Sequence, residues 1–176
     1  MLPELLISSA TETDVPALVQ LANRAYRGDA SRQGWTTEAH LLDGQRTDAE
    51  DIIDLMKVPG ATFLLARTSA GQLMGSVYLK PQLPDLYLGM LSVEPGQQGL
   101  GIGKLLLDAA ETQARAHSCT DILISVITVR AELIAWYERH GFQRTGETLA
   151  FPTDTRFGIP RQPLELLLMR KQLALA

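Results

Sequence analysis

The chain has 176 residues, 45% of them hydrophobic and 20% charged, with 16 Lys and Arg against 20 Asp and Glu for a formal charge of −4. That length and balance suit one globular domain, expected over residues 1–176. Net negative charge without a Lys/Arg run excludes a nucleic-acid wrapper, the single cysteine excludes an intrachain disulfide, and no apolar stretch reaches membrane-spanning length.

The opening MLPELLISSA lacks the basic start and long apolar segment of a secretory signal, so a cytoplasmic location is expected. LLISSA (5–10) reads as a first strand. Asp14 then offers an N-cap, Pro16 suits a first helical turn, and Val15, Leu18, Val19, Ala22 and Ala25 recur at helical spacing to about Tyr26. A short helix is predicted after Thr36. Thr47-Asp48-Ala49-Glu50 fits a capping box, opening a helix that stops before Pro59 and Gly60. The acidic cluster Asp43, Asp48, Glu50, Asp51 and Asp54 is explained by that helix start and a solvated face.

The pattern then changes. Residues 61–67 and 73–80 read as strands joined by a Ser69-Ala70-Gly71 turn, and 86–93 is an almost continuously apolar third strand. A helix over 102–116, a buried strand over 121–127 and a helix over 131–140 closed by Gly141 follow. Two last strands complete seven. The strand 86–93, helix 102–116, strand 121–127 segment is a βαβ unit inside an otherwise antiparallel α/β sheet.

The glycine-rich turn Val93-Glu94-Pro95-Gly96-Gln97-Gln98-Gly99-Leu100-Gly101-Ile102-Gly103-Lys104 joins a buried strand to a helix. Glycines expose consecutive N–H groups, and the helix start adds free donors and partial positive charge, so the turn suits a phosphate or pyrophosphate. A P-loop would need Gly at position 98 and Ser or Thr at 105, where Gln98 and Leu105 stand. A dinucleotide fingerprint would need its third Gly at 104 or 106, where Lys104 and Leu106 stand. Glycines placed only for tight strand–helix packing are the plain alternative.

Gln98-x-x-Gly101-x-Gly103 resembles the pyrophosphate loop of the GNAT acyltransferases (Gcn5-related N-acetyltransferases). Downstream, Tyr137-x-x-x-Gly141-Phe142 looks like the family's Tyr-x-x-x-Gly-Phe signature, on the helix after the next strand. The resemblance implies a GNAT-like mixed, mostly antiparallel seven-stranded sheet flanked by helices, with a central βαβ unit and a splayed central strand pair. It implies an acetyl-CoA-dependent N-acetyltransferase using acetyl-CoA as cosubstrate and no metal. The coenzyme would contact Leu91, Ser92, Val93, Gln98, Gly99, Leu100, Gly101, Ile102, Gly103, Lys104 and Arg130. The acetyl group would pass to a primary amine of a small molecule or peptide by direct attack. Backbone N–H groups near Leu91 and Val93 would stabilise charge on the carbonyl oxygen, and Tyr137 would act as general acid. A homodimer is common in the family.

Arg130 departs from the family, which often carries Asn seven residues before the Tyr to touch the pantetheine arm. Arg accepts no hydrogen bond, so Arg130 meets either a phosphate or a structural ion pair with Glu132 or Glu138. Tyr137 on an amphipathic helix also has a plain reading as a half-buried core residue. Asp85, Glu94 and Glu38 read as solvated surface carboxylates, so no general base is assigned. Cys119 reads as a small buried hydrophobe. The acceptor would lie among Tyr26, Arg27, Trp35, Thr36, Glu38, Phe151, Pro152, Arg156 and Phe157. The reading from another class is a non-catalytic acyl-CoA-binding module, and a nicotinamide dehydrogenase is disfavoured by the failed fingerprint.

Overall fold

The computed structural model describes residues 4–174. In chain order the elements are β1 (Leu5–Ser9), α1 (Val15–Tyr26), α2 (Gly28–Ser31), β2 (Leu42–Asp43), α3 (Ala49–Met56), β3 (Thr62–Thr68), β4 (Leu73–Gln82) and β5 (Asp85–Val93). They continue as α4 (Ile102–Ala116), β6 (Asp121–Ile127), α5 (Ala131–Arg139), β7 (Gln143–Ala150), β8 (Ile159–Pro160) and β9 (Glu165–Gln172). Seven strands form one sheet in the order β1-β3-β4-β5-β6-β9-β7, and β2 pairs with β8 separately. Among the described residues only β5 and β6 run parallel, and α4 makes their crossover.

Alternation along the strands sorts side chains onto two faces. Leu64 and Ala66 of β3 face a cluster with Leu106 and Ala110 of α4 and Ile134 of α5. Phe63 and Leu65 face the opposite cluster, with Leu18 and Ala22 of α1 and Ile52 of α3. Gly75 of β4 lets α4 approach the sheet. A Cβ there would stand 2.9 Å from Ile102 Cγ2 and 3.0 Å from Leu106 Cδ1.

The N-terminal region differs from expectation in two places. No helix follows Thr36; that segment turns and enters β2, and the short helix lies earlier, at α2. The reason lies in long-range contacts of Thr36 and Glu38, described below. The cap of α3 is Asp48 rather than Thr47. Asp48 Oδ1 accepts from the Asp51 amide at 2.8 Å, and the Thr47 hydroxyl donates to the Asp51 carboxylate at 2.6 Å.

Strands β5 and β6 pair only over Asp85↔Asp121, Leu86↔Ile122 and Tyr87↔Leu123, and then part. A bulge in β5 marks the separation. Ser76 faces Ser92 and Tyr78 faces Gly89, so Val77 alone spans Met90 and Leu91. Met90 takes φ of 49°, a left-handed conformation costly for a side chain of its kind.

The closed end of the fork is clamped. Asp85 and Asp121 lie directly opposite, an arrangement that repels. Arg170 of β9 donates to Asp85 at 2.6 Å and to Asp121 at 2.8 Å. The paired carboxylates raise the guanidinium pKa further above its ordinary value. Arg170→Met is expected to lower stability by about 1 kcal/mol, since the arginine is partly exposed and its gain is screened. The melting temperature should fall by roughly 3 °C; an unchanged melting point at low salt would show that the clamp contributes nothing.

Candidate functional site

The turn before α4 takes the form its sequence demands. Gly99 and Gly101 have φ of 84° and 86°, so both occupy the left-handed region where a Cβ is strained. Gly101 is the N-cap of α4, and no side chain caps that end. The first amides of α4 are therefore free to serve a ligand. Gly103 serves packing instead. A Cβ there would lie 3.0 Å from Trp136 Cζ2, so this glycine lets α4 sit against α5. Tight packing thus explains Gly103, and anion binding fits Gly99 and Gly101.

A cavity of about 430 Å³ opens along this turn. Gln98, Gly99, Gly101, Ile102, Gly103 and Lys104 line it, opposite Trp136 and His140 of α5 and its C-cap. Leu91 and Val93 line its β5 side. Leu100 stands exposed outside the lining. Ser92 is buried, with its hydroxyl donating to the Met90 carbonyl at 3.1 Å. Lys104 pairs with Asp108 at 2.8 Å on the surface. The Gln98 side chain is a stitch: its Oε1 accepts from the Trp35 amide at 2.9 Å and its Nε2 donates to the Val93 carbonyl at 3.3 Å.

A second cavity, about 350 Å³, lies at the other end of the fork. Tyr26, Leu91, Arg130, Leu133 and Tyr137 line both cavities, so these residues form the junction. The Tyr26 hydroxyl donates to the Leu91 carbonyl at 2.8 Å. Burial pushes the Tyr26 phenol up to about 12. The Leu91 carbonyl is thus taken by a side chain of α1 at a level where β5 no longer pairs with β6.

Tyr137 is buried, its ring edge-on to Trp136 at 5.1 Å and to Phe142 at 5.3 Å between centroids. Its hydroxyl makes no hydrogen bond among the described residues. Burial pushes its phenol well above the ordinary tyrosine value, with smaller contributions from Tyr26 and Arg130 of opposite sign. It is held protonated at a crossing of two cavities.

Arg130 resolves in favour of an ion pair, with a partner not foreseen. It is 5% exposed, and its Nη1 reaches Glu38 Oε1 at 3.4 Å. Its Nη2 donates to the Thr36 hydroxyl at 2.6 Å. Glu132 lies 3.9 Å from its Nε, and Glu138 pairs with Arg144 instead. Glu38 is itself 5% exposed, contrary to a surface reading, because Arg27 holds its other oxygen at 3.0 Å. Arg27 also donates to the Phe157 carbonyl at 2.9 Å and the Gln45 carbonyl at 3.1 Å. This buried Arg27–Glu38–Arg130 chain ties α1, the loop after α2, the start of α5 and the segment before β8 together.

The other carboxylates named above are engaged as well. Asp85 lies in the Arg170 clamp, and Glu94 pairs with Arg24. Cys119 is buried, and that burial raises its thiol pKa. Of the expected acceptor residues, Tyr26, Arg27, Glu38, Phe151, Pro152 and Phe157 line the second cavity. Trp35 and Thr36 line the first, and Arg156 instead stacks on Phe157 at 4.3 Å. Arg46, Tyr87 and Asp154 also line the second cavity; no local pattern around them signals it.

The fork, the bulge and the glycine turn at the head of the crossover helix define a class, and comparison agrees. The chain matches the model of the Acetyltransferase (GNAT) family over residues 16–142, and it belongs to that family. It is 32% identical over 152 residues to mycothiol acetyltransferase of Saccharopolyspora erythraea, covering 84% of this chain and 44% of that one. Among solved structures, it is similar to ribosomal-protein-alanine N-acetyltransferase from Brucella melitensis (TM-score 0.70, 26% identity, 96% of this chain and 99% of that). It also shares its fold with yncA from Salmonella typhimurium, solved with its cofactor acetyl-CoA (TM-score 0.70, 18% identity, 98% and 96%). The chain spans about half the length of the curated relatives it matches.

The glycine turn can be tested alone. Gly101→Val places a branched side chain at φ 86° and at the mouth of the amides heading α4. Calorimetric titration should detect no acetyl-CoA binding to the folded variant. Normal affinity in a folded protein would remove this turn from the coenzyme site.

Proposed function

We propose that this protein is an acetyl-CoA-dependent N-acetyltransferase acting on a primary amine of a small molecule or peptide, with Tyr137 as general acid. Acetyl-CoA supplies an activated acyl carbon and a sulfur leaving group. The amides about Gly99 and Gly101 would bind its diphosphate. The amides of Leu91 and Val93 would stabilise negative charge on the acyl oxygen. Tyr137, held protonated by burial, would give its proton to the departing sulfur. The described site holds no carboxylate free to take the amine proton at the junction, so that proton would leave through water.

One observation carries the reading: two cavities meet at a buried tyrosine whose hydroxyl has no hydrogen-bond partner among the described residues, where two parallel strands part. The family match and the acetyltransferase relatives support it. The test titrates the protein with acetyl-CoA and then follows free thiol with a panel of amines. Tight binding with amine-dependent thiol release is expected. Binding without release from any amine would leave an acyl-CoA-binding module, and absence of binding would sink both readings.

A further inference from the structure

We infer that the acceptor amine also carries a carboxylate, bound in the second cavity by Arg46; this rests on the acetyltransferase reading above. The cavity is lined by three arginines, Arg27, Arg46 and Arg130, against two carboxylates, Glu38 and Asp154. Those carboxylates are already engaged. Glu38 divides its oxygens between Arg27 and Arg130. Asp154 caps the Arg156 amide at 2.9 Å and lies 3.9 Å from the Arg156 guanidinium.

One donor remains. Arg46 has no ion pair among the described residues, and its guanidinium lies over the Tyr26 ring at 5.3 Å. Tyr26 reaches from there to the Leu91 carbonyl at the junction. Arg46 therefore stands one aromatic ring from Leu91 of β5. Arg130 is turned elsewhere: its Nη2 donates to Thr36 of the first cavity, its Nε lies 3.9 Å from Glu132, and its Nη1 meets Glu38. The planar guanidinium fork of Arg46 matches a carboxylate.

The sign of the charge decides among amines. A polyamine entering this cavity would meet a cation without a counter-ion. An amine bearing its own carboxylate brings the missing negative charge and places its nitrogen nearer the junction. A free amino acid and a peptide with an acidic residue near its N-terminus share this chemistry.

The experiment compares acids with their uncharged amides: L-leucine with L-leucinamide, β-alanine with β-alaninamide, and Ala-Glu-amide with Ala-Gln-amide. Affinity is measured by calorimetry with CoA present, and thiol release is measured with acetyl-CoA. At least one acid should bind about tenfold more tightly than its amide. Arg46→Gln should bring that ratio to within about threefold, and Arg46→Lys should retain part of it. Equal binding of acid and amide in every pair, or a ratio unmoved in a folded Arg46→Gln protein, overturns the inference. A response from the free acids assigns an amino-acid acceptor, and one from the peptide pair alone assigns an acidic peptide. Tighter binding of the acids with no thiol release from any amine upholds the carboxylate site and removes the transferase reading.

Discussion

Tyr137→Phe is expected to lower kcat by about 10²- to 10⁴-fold, the usual range for loss of a positioned proton donor. Acetyl-CoA affinity should change by less than about threefold, since the effect belongs to the transition state. The structure makes this a clean substitution. The ring packs against Trp136 and Phe142, and phenylalanine keeps both contacts. The hydroxyl has no partner among the described residues, so its removal orphans no neighbouring group. The melting temperature should stay within about 1 °C. Equal losses in kcat and affinity, or a kcat within threefold of the parent, would return Tyr137 to a packing role.

The pH dependence gives an independent check. Burial raises the phenol above its ordinary value near ~10, so the proton is retained throughout the neutral and mildly alkaline range. Loss of the acid form begins only above about pH 10. A fall in kcat centred well below that belongs to another group, and Tyr137→Phe should leave its midpoint where it is.

Local patterns carry much of the architecture. Helical spacing and glycine punctuation place α4 at 102–116 and β6 at 121–127, where the structure has them. The left-handed glycines at 99 and 101 follow from the turn's own sequence. What local patterns cannot carry is the pairing of distant charges. Arg130 and Glu38 lie 92 residues apart, and nothing beside either signals the other. Glu38 alone reads as a surface carboxylate because most glutamates are. The segment after Thr36 has helical spacing, yet Thr36 is taken by Arg130 and Glu132, and Glu38 by two arginines. Those tertiary bonds outweigh a weak local preference. Arg46 is invisible in the sequence for the same reason: its role depends on the ring it covers and the charges it lacks.

Glu38→Gln should therefore be the most damaging single change away from the chemistry. It leaves Arg27 and Arg130, each about 95% buried, without the anion that both share. Removing one partner from a buried ion pair costs about 3–5 kcal/mol, far more than the pair itself contributes against an apolar replacement. The melting temperature should fall on the order of 10 °C. The damage should also reach the site, because Arg27 ties the Phe157 segment and Arg130 ties Thr36 to the same carboxylate. With both arms loosened, affinity for the acceptor should fall more than affinity for acetyl-CoA, whose proposed turn at Gly99 and Gly101 lies outside the chain of charges. Adding Arg130→Met removes one of the two stranded cations and should recover part of the lost stability. A double variant no more stable than Glu38→Gln alone would mean that the cost lies in lost shape and not in unpaired charge.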